Sequence, residues 1–225
     1  MAFQGFTEQT IDFLYDIFMQ NERLWFEAHK DIYLNSLQRP MKELADEVYE
    51  KLTERYPDRN LICRVTRIYR DARRCHSFNF YKDSLWFNIQ PPAERGEDYP
   101  SFWFELSRDN WNCGLGIWNP SAATMARHRA RIERDPDPLS ELRGRLLERG
   151  EFSLTGKYYA RFKTGAPDDL GGWYNMKSFA IVHNSSNVAE TFDGPALAER
   201  LVESFSFLMP YYDYFYPLTQ TGQHD

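Results

Sequence analysis

Four short runs of mixed apolar and polar residues lie between Ile62 and Trp118: "ICRVTRIYR", "SLWFNIQ", "SFWFELS" and "NCGLGIW". They are rich in β-branched and aromatic side chains and alternate with a period near two, the pattern of strands half buried on a sheet. What constrains the fold most is the chain that joins them. A parallel crossover consumes roughly a dozen residues or more, usually as a helix. The joining segments are short and carry no helical pattern, and "PPAERGEDYP" is built from turn residues. An antiparallel meander of at least four strands over 61–119 is the arrangement these connections permit.

The flanking sequence has a different period. Thr7 can cap a helix whose face carries Ile11, Leu14, Tyr15 and Phe18. Asn21 can restart it, with Trp25, Phe26 and His29 on one face and Tyr33 and Leu37 beyond. Pro40 suits the first turn of a further helix that buries Leu44, Val48 and Leu52. After the meander, a helix is predicted from Asn119 or Ser121 to just before Pro136, and a second from Pro138 to Arg149. The stretch 150–175 looks irregular with short strands, and "KSFAIVHN" reads as a strand. A final helix from about Pro195 shows Leu201, Phe205, Leu208, Tyr212 and Phe215 on one face, with Pro210 expected to interrupt and kink it. The expectation is one α+β domain over 1–225, its N-terminal helices and C-terminal helix packed around a mainly antiparallel sheet. Its parts are a helical 1–56, the meander, a helical 120–150 and a mixed 151–225.

Charge is distributed unevenly. The chain of 225 residues carries a net −6, yet 61–82 holds Arg64, Arg67, Arg70, Arg73, Arg74 and Lys82 against Asp71 alone, a local +5 that leaves −11 for the rest. An acidic chain is a poor general coat for nucleic acid and a poor polybasic membrane binder, so neither partner is expected. Three cysteines (Cys63, Cys75, Cys113) without C-x-x-C spacing argue against a disulfide framework or a zinc knuckle. The opening "MAFQGFTEQT" lacks a basic region followed by an apolar one, and no apolar run spans a bilayer. A reduced, soluble, cytoplasmic protein is expected, with no cofactor and no metal.

The basic island is the candidate site. Along an extended strand, Arg67 and Tyr69 should share one face and Ile68 and Arg70 the other. Arginine's planar fork binds carboxylate or phosphate through two parallel bonds. Arg67, Arg70 and Arg73 can act as clamps for a small anionic or phosphorylated ligand, with Tyr81 and Lys82 at the rim. Asp71 would orient them or serve in proton transfer. Lys177, at the head of the "KSF" strand, either joins this cluster or snorkels at the surface. The alternative is a non-enzymatic interaction module in which the arginines pair internally with Asp71, Asp83 and other acids.

Other motifs carry less. His29, His76, His128, His183 and His224 form no H-x-x-x-H or H-E-x-x-H pattern. A Cys75–His76 neighbour pair lacks the third group that would orient a base on a thiol. Gly114 and Gly116 lack the third glycine of a dinucleotide loop, and neither a phosphate loop nor a G-x-S-x-G elbow is present. "ARHRARIER" reads as a solvated helix face, and the tryptophans as core and rim.

Several fragments together resemble one known family, the domain of unknown function 2461. Gly5, Phe6, Thr7, Phe13, Leu14, Asn21, Trp25, Phe26, Tyr33 and Pro40 match its opening pattern. "RIYRDAR" at 67–73 matches its most distinctive block, and Gly116, Trp118 and Pro120 its G-x-W-x-P. Arg129 and Ile132 fit the R-x-x-I that follows, and "KSF" at 177–179 the later strand. The family continues R-F-S-K-D-K-T-P-Y-K where this chain has "RRCHSFNFYK". Tyr81 and Lys82 are kept, while His76, Ser77, Phe78 and Phe80 replace the lysines, the acid and the proline. The resemblance implies a divergent member, and implies no activity.

Overall fold

The computed structural model of the chain describes residues 2–70, 80–93 and 98–220. Helix α1 (Glu8–Gln20) follows Thr7 at its N-cap, as expected, and Thr10 answers it in a capping box: the Thr7 N–H donates to Thr10 Oγ1 at 3.0 Å. The Thr10 hydroxyl in turn donates to the Ser36 carbonyl at 2.7 Å in the interior. Asn21 does not restart the helix; it ends α1 in a positive-φ conformation (φ 22°, ψ 36°). The face turned inward holds Thr10, Phe13, Leu14 and Ile17, while Tyr15 and Phe18 stay exposed. Both find polar partners instead, since Arg108 lies 3.7 Å from the Phe18 ring and Asp109 accepts from the Tyr15 hydroxyl at 2.6 Å.

Helices α2 (Arg23–Ala28) and α3 (Lys30–Ile32) lead into a π-helical stretch, Tyr33–Gln38, and on into α4 (Arg39–Arg55). Pro40 sits in the first turn of α4, where its missing N–H is harmless. The π turn widens the spiral, which a strict 3.6 count does not register.

The sheet contains the expected meander and extends it. Strands β1 (Ile62–Val65), β2 (Ser84–Gln90), β3 (Ser101–Ser107) and β4 (Trp111–Ile117) are neighbours in chain order. Helices α5 (Ala122–Arg134) and α6 (Asp137–Arg149) then precede β5 (Ser153–Tyr158), and the short α7 (Gly171–Tyr174) precedes β6 (Met176–Ser185). The order is β1-β2-β3-β4-β6-β5, all antiparallel. Strand β5 is thus an edge, paired from Ser153 opposite Val182 to Tyr158 opposite Met176. Most of its residues are exposed, so no alternation marked it in a segment that read as irregular.

Two compact units share these elements. The first comprises Met1–Ile89, Trp103–Cys113 and Asn184–Ser204. Its interior stacks Phe3, Phe6, Phe87, Phe104 and Trp111, with Phe6 and Phe104 centroids 6.3 Å apart and Phe87 5.8 Å from Phe104. Gly5 makes the entry possible. It has φ +111°, and a Cβ there would stand 2.0 Å from the Phe192 carbonyl oxygen, so no other residue fits without displacement.

The second unit comprises Gln90–Phe102, Gly114–His183 and Phe205–Asp225. Phe179 and Phe215 rings meet at 4.0 Å, with Trp173 and His128 beside them. A Cβ on Gly116 would lie 2.7 Å from the Phe179 carbonyl oxygen and 2.9 Å from Ala180 Cβ, which explains the glycine in "GIWNP". Helix α8 (Gly194–Thr219) continues through Pro210 and Pro217, so the interruption expected at Pro210 is absent. All five of its predicted apolar positions are buried. The arginines of α5 correct another expectation. Arg127 Nε donates to the Leu218 carbonyl at 2.7 Å and Arg131 to the Tyr214 carbonyl at 2.9 Å, so two of them serve carbonyls near the α8 C-terminus rather than solvent. Among the described residues, no helix is long and apolar enough to cross a membrane.

Candidate functional site

The basic island departs from a simple strand after Val65. Thr66 N–H donates to the Trp86 carbonyl at 2.9 Å, yet the next pairing is an isolated bridge of Tyr69 with Tyr81. The first side advances three residues between these points and the second five, so the two sides fall out of step as in a β-bulge. The bridge is closed by Arg70 N–H to Phe80 O at 2.9 Å and Lys82 N–H to Ile68 O at 2.8 Å. The expected alternation is lost with the register: Ile68 is buried, while Arg67, Tyr69 and Arg70 are all exposed.

A side chain from α1's end holds this segment in place. Asn21 Nδ2 donates to the Tyr81 carbonyl at 3.1 Å, and Asn21 Oδ1 accepts from the Tyr81 N–H at 2.9 Å. The Tyr81 ring stacks on Phe26 at 4.2 Å, and Tyr69 packs 5.3 Å away. Burial and then the neighbouring Tyr69 push the Tyr81 hydroxyl above its usual range. The same two causes push Tyr33 beneath them up to about 12. Tyr81 is therefore a buried support, not the rim residue expected.

The charged groups divide into two sets. Arg70 Nε donates to the Tyr81 carbonyl at 2.8 Å, and its fork reaches Asp83 Oδ1 at 3.4 Å. The other oxygen of Asp83 accepts from Arg108 at 2.6 Å, and Arg108 also meets Asp109 at 2.9 Å. One carboxylate thus bridges two arginines. Lys82 Nζ donates to the Arg67 carbonyl at 2.7 Å and lies 4.0 Å over the Trp86 ring. Partial burial first, then Arg70 and Arg67, hold its ammonium below the ordinary lysine pKa. Arg67 itself is exposed, and among the described residues its guanidinium has no partner.

Of the remaining expected site residues, Asp71 and Arg73 lie outside the described residues, as do Arg74, Cys75, His76 and His224. Lys177 is exposed on β6 in the second unit, whereas Arg67, Arg70, Tyr81 and Lys82 belong to the first. Asp83 pairs with Arg70, as the alternative reading expected, and Arg108 is the participant the island's sequence did not announce. Arg108 lies between β3 and β4, and pairing across the sheet brings it to Asp83. Among the described residues no three of His, Cys, Asp and Glu gather as a metal-binding set. Trp118 of the G-x-W-x-P motif is 88% exposed, unlike the buried Trp111 and Trp173.

The geometry explains several residues of the resemblance: Gly5 by its contact with Phe192, Asn21 by its grip on Tyr81, and Gly116 by its approach to β6. No curated protein matches the chain. A model of one family, described as conserved hypothetical protein (DUF2461), matches residues 9–214, nearly the whole chain. The protein therefore belongs to the DUF2461 family.

Proposed function

We propose that the protein binds a small anionic or phosphorylated ligand at the island of Arg67, Arg70 and Lys82. The observation that carries this is the placement of Arg67 and Lys82. A guanidinium without a partner among the described residues stands next to an ammonium depressed by burial and by two neighbouring arginines. Like charges held together in this way are relieved by an anion, and perturbed groups of this kind gather at functional sites. Arg73 as a further clamp, and Asp71 as the acid that orients the arginines or serves in proton transfer, belong to the same proposal. Lys177, in the other unit, is not needed for it.

Thermal unfolding with sulfate, phosphate and nucleoside phosphates tests the proposal. A ligand at a hundred times its dissociation constant stabilises by about 2.7 kcal/mol, which in a chain of this size raises Tm by roughly 5–10 °C. Arg67→Ala should lessen that rise while leaving the unliganded Tm unchanged. If wild type and Arg67→Ala respond alike to every anion, the proposal fails.

The alternative, an interaction module with a structural arginine network, is favoured by one feature: Asp83 bridges Arg70 and Arg108. On that alternative Arg70→Ala lowers stability and no anion shifts Tm in wild type.

A further inference from the structure

The second unit contains a cleft that no motif announced. It is an open depression of about 700 Å³, a volume within the 300–1,000 Å³ usual for small-molecule sites. Its walls are Arg129 of α5, the segment 159–164 that follows β5, and Tyr174 of α7. Two bonds pin that segment to Asn175, a buried residue. Tyr159 N–H donates to the Asn175 carbonyl at 3.1 Å, and Lys163 N–H donates to Asn175 Oδ1 at 2.7 Å.

Two chemistries meet on this frame. Arg129 lies 5.4 Å over the Tyr159 ring with its fork 3.5 Å from the hydroxyl, and Lys163 Nζ lies 5.6 Å from the same ring. One aromatic ring thus gathers two cations, and Arg161 lines the same cleft. The nearby acid is Glu133, whose carboxylate already accepts from the Tyr174 hydroxyl. Among the described residues, Arg161 and Lys163 pair with no carboxylate. Beside them the Phe162 ring is 66% exposed, with Tyr158 6.0 Å away. A large aromatic ring left in solvent next to unpaired cations offers a stacking face and a charge socket together.

We infer that the cleft bounded by Arg129, Tyr159, Arg161, Phe162 and Lys163 binds a small planar anion of nucleotide size, its ring on Phe162 and its phosphate or carboxylate on Arg161 and Lys163. This site is separate from the Arg67 island and stands without it. Stacking on an aromatic side chain contributes about five- to hundredfold in affinity, whereas exposed ion pairs add little singly. The ring therefore dominates selectivity, and the cations select for charge.

Calorimetric titration of the full chain with adenosine 5′-monophosphate, adenosine and inorganic phosphate tests this. The monophosphate should bind more tightly than either fragment. Phe162→Ala should weaken it about tenfold and leave phosphate binding unchanged. An Arg161→Ala/Lys163→Ala double variant should lose the cleft's share of both, with an unaltered unfolding midpoint because both side chains are exposed. Arg67→Ala should leave the Phe162-dependent component of monophosphate binding intact, so failure at one site is told apart from failure at the other. No detectable binding of the monophosphate overturns the inference, as does equal binding by wild type and the double variant. A single-stranded oligonucleotide that binds far more tightly than the monophosphate, with affinity falling steeply in salt, also overturns it, by making the cleft part of a nucleic-acid surface.

Discussion

The Asn21 side chain replaces a missing strand for Tyr81. Its amide nitrogen donates to the Tyr81 carbonyl at 3.1 Å, and its oxygen accepts from the Tyr81 N–H at 2.9 Å. Sixty residues separate the two in sequence. A residue that ends α1 thereby satisfies both main-chain groups where the Arg67 island pairs only through an isolated bridge.

Asn21→Ala removes both bonds and places alanine at a positive φ that asparagine tolerates better. The Tyr81 carbonyl keeps Arg70, but the Tyr81 N–H is left bare. The expected loss is about 2–3 kcal/mol, read from urea unfolding. Asn21→Asp, which keeps the acceptor and the backbone preference, should lose less. Equal stability of wild type and Asn21→Ala would mean the contact does not hold the segment.

Asp83 joins Arg70 and Arg108, all of them partly exposed. Such pairs contribute only about 0.2–1 kcal/mol each. Asp83→Asn should therefore lower stability by about 1 kcal/mol at low salt, with the difference shrinking in high salt as screening grows. It should also tighten sulfate or phosphate at the island, because it removes a competing negative charge. Weaker anion binding in Asp83→Asn would contradict the proposed site.

Gly5→Ala sets a Cβ against the Phe192 carbonyl in a backbone conformation closed to L side chains. The clash is with main chain and cannot be relieved by a rotamer change. A loss of about 3 kcal/mol or more is expected, checked by the midpoint of thermal unfolding. Gly144→Ala, with nothing within 4 Å of its Cβ, serves as the control and should stabilise α6 slightly.

His128 is buried, and burial first, then Arg129 and Arg131, lowers its pKa to about 4, opposed only by its bond to the Trp173 carbonyl. Nε2 faces that carbonyl at 3.3 Å and so carries the hydrogen, leaving Nδ1 bare. In the unfolded chain the ring takes up a proton as pH falls through about 6.5. Between these values only the unfolded state binds it. Stability is full above about 6.5 and falls towards pH 4, by roughly 3 kcal/mol. His128→Gln should flatten that part of the stability–pH curve; an unchanged slope would assign the dependence to other groups.

Much of the architecture was legible because local pattern and global burial agree. The alternation in "SLWFNIQ" and "SFWFELS" is the observed burial alternation of β2 and β3. Pro40, Leu44, Val48 and Leu52 mark α4 correctly. Tyr15 and Phe18 misled because apolar character alone did not reveal that Arg108 and Asp109 would meet them at the surface. Strand β5 escaped notice because an exposed edge needs no apolar face, and Arg127 and Arg131 because nothing local reveals that α8's carbonyls lie within their reach.

The amino-acid sequence by itself determined the α+β class, the antiparallel meander, the buried face of α8 and the gathering of positive charge at 64–82. Each of these follows from period, chain length between elements or composition, which are local quantities. Only the tertiary structure decided how that charge is used. Which carboxylate meets Arg70, why Arg67 stays exposed, and how Arg129 joins the loop at 159–164 all depend on contacts between residues far apart in the chain. Electrostatic pairing acts through space over a few ångströms, and no spacing along the sequence encodes that distance.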